Sequence, residues 1–101
     1  DPDVTAVLCA NDEMALGLIS ALHDEGVAVP SDVSVVGFDG IALGKFSIPP
    51  LTTVRQDFER MGTELVRLVL EQIRSPQMRT IPDVTVTSEL IVRGSTAPPR
   101  R

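Results

Sequence analysis

Hydrophobic positions along the chain fall into short solid runs and longer periodic stretches. Val33-Ser34-Val35-Val36-Gly37-Phe38 is nearly all apolar and stops at Asp39-Gly40. A run this short reads as a strand buried on both faces. Val4-Thr5-Ala6-Val7-Leu8-Cys9-Ala10 is a second run of the same kind. Between them Met14, Ala15, Leu16, Leu18, Ile19, Ala21 and Leu22 recur at helical spacing. Asn11 is a strong N-cap, Asp12 and Glu13 suit the first turn of a helix, and Gly26 supplies the stop. Strand, helix and strand with short links make a βαβ unit. The two strands should therefore run parallel with a right-handed crossover.

The first helix is apolar over an arc of roughly 220°, about twice what packing on a sheet uses. One side should meet the sheet. The other is left for a subunit partner or for a further element of the same domain. Residues 40–50 form a loop ending in Pro49-Pro50, which excludes a helix or a central strand there. Leu51-Thr52-Thr53-Val54 is extended, either as a strand or as a crossing segment. Asp57 can cap a second helix running to Arg74. Phe58, Met61, Leu65, Leu68, Val69 and Ile73 mark its apolar face, as in an ordinary surface helix on a core. Residues 75–80 read as a polar loop. Residues 81–92 are β-prone, with Val84 and Val86 alternating against Thr85 and Thr87. The tail, residues 97–101, is expected to be disordered.

A length of 101 residues allows one domain or a piece of a larger one. The chain opens at Asp1 without an initiator Met, which points to a segment of a longer protein. The strand count points the same way. A doubly wound sheet has about five or six strands, so these few need the rest of a parent or a second copy. Net charge is −5, which argues against nucleic-acid binding by this segment alone. The charge is uneven: residues 1–50 carry eight acids and one base, residues 51–101 six acids and eight arginines. Two units with different surroundings would give such a split. The single Cys9 lies in an apolar run and reads as a small buried hydrophobe. No apolar run approaches the roughly 20 residues of a membrane helix.

Catalytic and cofactor signatures are absent. Gly37 and Gly40 make neither a GxGxxG nor a Walker loop. The lone His23 has no second ligand nearby, and no Ser sits in a GxSxG elbow. No enzyme, cofactor or metal is expected. What remains is a binding rim. Asn11 follows the first strand and Asp39 the second, and parallel strands bring both to one sheet edge, where open α/β sheets bind ligands. An amide and a carboxylate there can hydrogen-bond the hydroxyls of a sugar or similar metabolite. Position alone leaves each residue a bland alternative: Asn11 as a pure cap, Asp39 as half of an Asp-Gly turn.

Four ordered stretches then resemble one family. Ala10-Asn11-Asp12-Glu13-Met14-Ala15-Leu16-Gly17 matches the pattern AND..A.G. Val29-Pro30-Ser31-Asp32-Val33-Ser34-Val35-Val36-Gly37-Phe38-Asp39 matches VP.DVSVVGFD. Pro49-Pro50-Leu51-Thr52-Thr53-Val54-Arg55-Gln56 matches PPLTTVRQ, and Ser88-Glu89-Leu90-Ile91-Val92-Arg93-Gly94-Ser95-Thr96 matches ELVVR.ST. The chain resembles the C-terminal part of the effector-binding domain of lactose/galactose-repressor (LacI/GalR) family transcription regulators.

That resemblance implies an α/β fold: a fragment of a two-lobed, periplasmic-binding-protein-like domain of Rossmann type with a parallel sheet, incomplete on its own. Residues 1–53 and 88–96 would belong to the C-terminal lobe and residues 54–87 to the N-terminal lobe. Crossings would lie at residues 51–55 and near Ser88. Asn11 and Asp39 match effector-binding positions, and Phe58 matches an aromatic lining the cleft. Read from periodicity alone, Phe58 is equally the first core residue of its helix. A homodimer contact is implied through the first helix and the following loop, at Met14, Ala15, Leu16, Leu18, Lys45, Phe46 and Ser47. Gly40 departs from the family, which often places an acid or Asn there. The implied protein is a cytoplasmic repressor that senses a sugar or related metabolite and binds operator DNA through an N-terminal domain outside this chain. The alternative is a periplasmic sugar-binding protein of a transporter, since Gly-Phe-Asp-Gly also occurs in ribose-type transport proteins.

Overall fold

The computed structural model describes residues 1–77 and 82–100. The chain divides into two compact units, Asp1–Gln56 with Glu89–Arg101, and Asp57–Ser88.

The first unit is a four-stranded sheet with one long helix. Its elements are β1 (Ala6–Leu8), α1 (Asp12–Asp24), β2 (Ser34–Asp39), a 3₁₀ turn (Ala42–Lys45), β3 (Thr52–Arg55) and β4 (Glu89–Ile91). The sheet order is β1-β2-β3-β4. β1 pairs parallel with β2, and β2 with β3. β4 returns antiparallel to β3, a direction the sequence pattern did not carry. α1 starts and stops where its caps predict: Asn11 accepts from the Met14 amide at 2.8 Å, and Gly26 takes φ +74° just past the end. Ala15 and Ile19 of α1 pack on Val35 and Leu51 to form the core, with Cys9, Leu16, Leu18, Leu22 and Val29 around it.

Opposite α1 the sheet is covered only at its amino end, where Ser34 and Thr52 are buried under residues 96–97. Leu8, Val36, Phe38, Val54 and Leu90 share the sheet face opposite α1, and Leu8 is 72% exposed. The expected two-sided burial of residues 4–10 is thus corrected. β1 pairs with a single neighbour, and within this unit no helix lies on that face. Ser95 knits the return segment to the sheet: its hydroxyl donates to the Val35 carbonyl at 2.6 Å and accepts from the Thr52 amide at 2.8 Å. The tail is tied down too. The Ala97 amide donates to the Ser34 hydroxyl at 3.0 Å, and the Arg100 guanidinium reaches the carbonyls of Pro2, Val4 and Asp32. These bonds hold residues 97–100 against the fold where disorder was expected; Arg101 lies outside the described residues.

The second unit is built on α2 (Phe58–Arg74), capped by Asp57, which accepts from the Arg60 amide at 3.0 Å. Its polar face is laced by Arg67, which pairs with Glu64 at 2.8 Å and Glu71 at 2.6 Å. No residue of α2 is buried, and Leu65, Val69 and Ile73 are exposed. The expected packing of α2 on a core is therefore not seen. Among the described residues of 57–88 there is only one helix, and an amphipathic stripe needs a second surface to bury against. Residues 82–88 form no strand despite the Val84–Thr87 alternation. Residues 78–81, the end of the expected polar loop and the start of the β-prone run, lie outside the described residues.

Candidate functional site

The rim is built by the carboxyl ends of β1 and β2. In register Leu8 faces Val36, and Asn11 and Asp39 each follow three residues later. Asn11 is extended, with φ −153° and ψ 170°, and its side-chain oxygen caps α1. That bond uses one acceptor and leaves the amide nitrogen, with two donors, uncommitted among the described residues. Capping and ligand contact are therefore compatible at Asn11.

Asp39 ends β2 with φ +114°, the only non-glycine residue with positive φ among those described. A side-chain-bearing residue held there costs about 1–3 kcal/mol, and such outliers cluster at functional sites. Its Oδ1 accepts from Gln56 Nε2 at 2.7 Å, and its carbonyl from the Gln56 amide at 3.1 Å. Gln56 thus orients the carboxylate and leaves Oδ2 without a hydrogen-bond partner among the described residues. Gly40 follows with φ +81°, and a Cβ there would lie 2.8 Å from Arg55 Cα. Close approach of β3 explains the glycine at this departure from the family pattern. Arg55 pairs with Glu89 at 3.1 Å in an exposed bridge, worth at most about 1 kcal/mol.

Sequence reasoning missed the most connected residue of the region. Asp12 is fully buried and is not the helix cap. Its Oδ2 accepts from the amides of Gly40 and Ile41 at 2.9 and 2.7 Å, and its Oδ1 from the Thr53 hydroxyl at 2.6 Å. The available signal was Gly37 inside a strand, since such a glycine marks a close approach. Gln56 was likewise missed, although the PPLTTVRQ stretch contains it.

Phe58 begins α2 in the second unit and is 55% exposed. Of the residues expected at a dimer contact, Ala15 has no exposed surface, because it sits in the core of its own unit, and it drops out. Met14, Lys45 and Phe46 are exposed, and Leu16, Leu18 and Ser47 are half-buried. Leu16, Ile19, Ser20, His23, Ser47 and Ile48 line an open groove of about 480 Å³ between α1 and the loop. Leu43 and Ile48 of the same loop add exposed apolar surface. No cluster of metal-ligating side chains occurs among the described residues. Among the described residues no helix is long and apolar enough to cross a membrane.

Residues 1–96 match the family model of the periplasmic binding protein-like domain. The chain is 51% identical over 96 residues to the HTH-type transcriptional regulator MalR of Streptomyces coelicolor, covering 94% of this chain and 27% of that protein. It is 43% identical over 93 residues to the HTH-type transcriptional repressor PurR of Haemophilus influenzae, covering 90% and 28%. A solved LacI family transcriptional regulator from Enterococcus faecalis, with bound ribose, superposes with a TM-score of 0.87 at 35% identity, covering 95% of this chain and 36% of that one. The chain thus spans little more than a quarter of the curated relatives it matches, and those relatives are regulators of transcription rather than enzymes. Ordered motifs, fold and relatives agree: the chain belongs to the periplasmic binding protein-like domain family, in the form carried by LacI/GalR-family regulators.

Proposed function

We propose that this chain is the effector-sensing and dimer-forming segment of a LacI-type transcriptional repressor acting in the cytoplasm. The observation that carries the reading is the rim. An uncommitted amide on Asn11 and a pre-oriented carboxylate on a strained Asp39 follow neighbouring parallel strands at equal register. That set suits a small polyhydroxylated ligand, which offers donors to the carboxylate and acceptors to the amide. The ribose bound by the E. faecalis regulator favours a sugar or related metabolite.

Residues 1–53 and 88–96 would form part of the C-terminal lobe and residues 54–87 a segment of the N-terminal lobe. The division of the chain after Gln56 and before Glu89 supports crossings near those points. Phe58 would line the cleft from the second lobe. A second copy would cover Met14, Leu16, Leu18, Lys45, Phe46 and Ser47. Effector binding would shift the relation of the lobes and so the spacing of DNA-binding heads supplied by an N-terminal domain. The relatives' HTH-type names weigh for a regulator over a periplasmic transport protein.

The test is calorimetric titration of the intact protein with ribose, cellobiose and purine bases, comparing the native form with Asn11→Ala and Asp39→Ala. Each substitution should weaken the binding found by about tenfold or more, equivalent to about 1.4 kcal/mol. Unchanged affinity in both would refute the assignment. Sequence upstream of Asp1 separates the two classes of protein: a helix-turn-helix for the regulator, a secretory signal for the transporter.

A further inference from the structure

Asp12 carries a role beyond the fold of α1. Both amides bound by its Oδ2 belong to the residues immediately after Asp39. Asp39 and Gly40 take φ +114° and +81°, and such a backbone persists only where its surroundings over-determine it. Gln56 holds the Asp39 carbonyl, and Asp12 holds the next two amides. Bonds from N–H or O–H groups to an ionised carboxylate are the strong kind. Thr53, on the strand next to β2, fixes the other oxygen at 2.6 Å. Gly37 makes the room, since a Cβ there would fall 2.1 Å from Asp12 Oδ1. Having no exposed surface, Asp12 cannot touch a ligand itself.

We propose that Asp12 is a positioning residue for the ligand rim, holding Asp39 in its binding conformation by clamping the two amides that follow it. This rests on the reading of the rim as the ligand site. It makes ligand affinity depend on a buried carboxylate that the ligand never meets.

Asp12→Asn, Asp39→Ala, the double variant and the milder Thr53→Val are made in the intact protein. Each is titrated with ribose and cellobiose and unfolded in urea. Asp12→Asn should weaken binding about tenfold, Thr53→Val severalfold, and Asp12→Asn should add less than about twofold once Asp39 is Ala, as coupled residues behave. Amide exchange at Gly40 and Ile41, read without ligand, should quicken at least about tenfold in Asp12→Asn and in Thr53→Val relative to the amides of α2. Lower stability with unchanged affinity in Asp12→Asn overturns the proposal, as does a loss that adds fully to that of Asp39→Ala. Should Asp12→Asn not fold or neither sugar bind, unaltered exchange at Gly40 and Ile41 in Thr53→Val overturns it. Unchanged affinity in Asp39→Ala refutes the rim itself. Weakened binding there with none in Asp12→Asn refutes only the positioning role.

Discussion

Gly37 and Asp12 exclude any larger pair: a Cβ on Gly37 would lie 2.1 Å from Oδ1 of Asp12 and 2.9 Å from Leu51 Cδ2. A strand glycine is thus the steric condition for a buried carboxylate 25 positions earlier in the chain. Gly37→Ala must push Asp12 off its three donors or open the core at Leu51. Its unfolding free energy in urea should fall by about 2–4 kcal/mol, combining overpacking with lost buried hydrogen bonds.

The positive φ of Asp39 separates stability from function. Asp39→Gly and Asp39→Ala both remove the carboxylate and the bond from Gln56, but only glycine adopts φ +114° without strain. Asp39→Gly should therefore be more stable than Asp39→Ala by about 1 kcal/mol. Both should bind ligand equally poorly. Paired urea melts measure the difference.

Burial pushes the Cys9 thiol up from its ordinary value. The folded state then favours the neutral thiol. That stabilisation is complete below the usual cysteine range and is lost as pH rises through the raised pKa. Since the thiolate is the nucleophile, iodoacetamide at pH 8 should modify Cys9 about severalfold more slowly in the folded protein than in urea. Mass spectrometry of the Cys9 peptide reads the rates.

Phe46 is 77% exposed and Ile48 92% exposed, beside the groove along α1. Neither supports its own unit, so Phe46→Glu should change folding stability by less than about 0.5 kcal/mol. If a second copy covers this face, the same substitution buries an unpaired charge and should shift the intact protein from dimer to monomer at micromolar concentration. Analytical ultracentrifugation checks both species.

Local physics was readable from the sequence; of the non-local pairing, only the part that the βαβ spacing dictates was. The caps at Asn11 and Asp57, the helix periods and the stop at Gly26 depend on neighbours within a few residues, and all appear as read. The parallel pairing of β1 with β2 followed from the βαβ spacing, and it carried Asn11 and Asp39 to one edge. The role of Asp12 was hidden because its donors, Gly40, Ile41 and Thr53, lie 28 to 41 positions away. A capping acid and a buried clamp look alike in a one-dimensional pattern. The alternation at Val84–Thr87 shows the same limit: period two says which side chains share a face, not that a partner strand exists to pair with. Leu8 reads as buried because apolar, yet its burial depends on a layer that this unit does not supply.

The most direct measurement is a ligand-bound crystal structure of the intact protein, using whichever sugar or base titration selects. The account predicts ligand hydroxyl or ring polar atoms within about 2.7–3.2 Å of Asn11 Nδ2 and Asp39 Oδ2, with Gln56 still on Asp39 Oδ1. A ligand held elsewhere, with both side chains left to solvent, would contradict it.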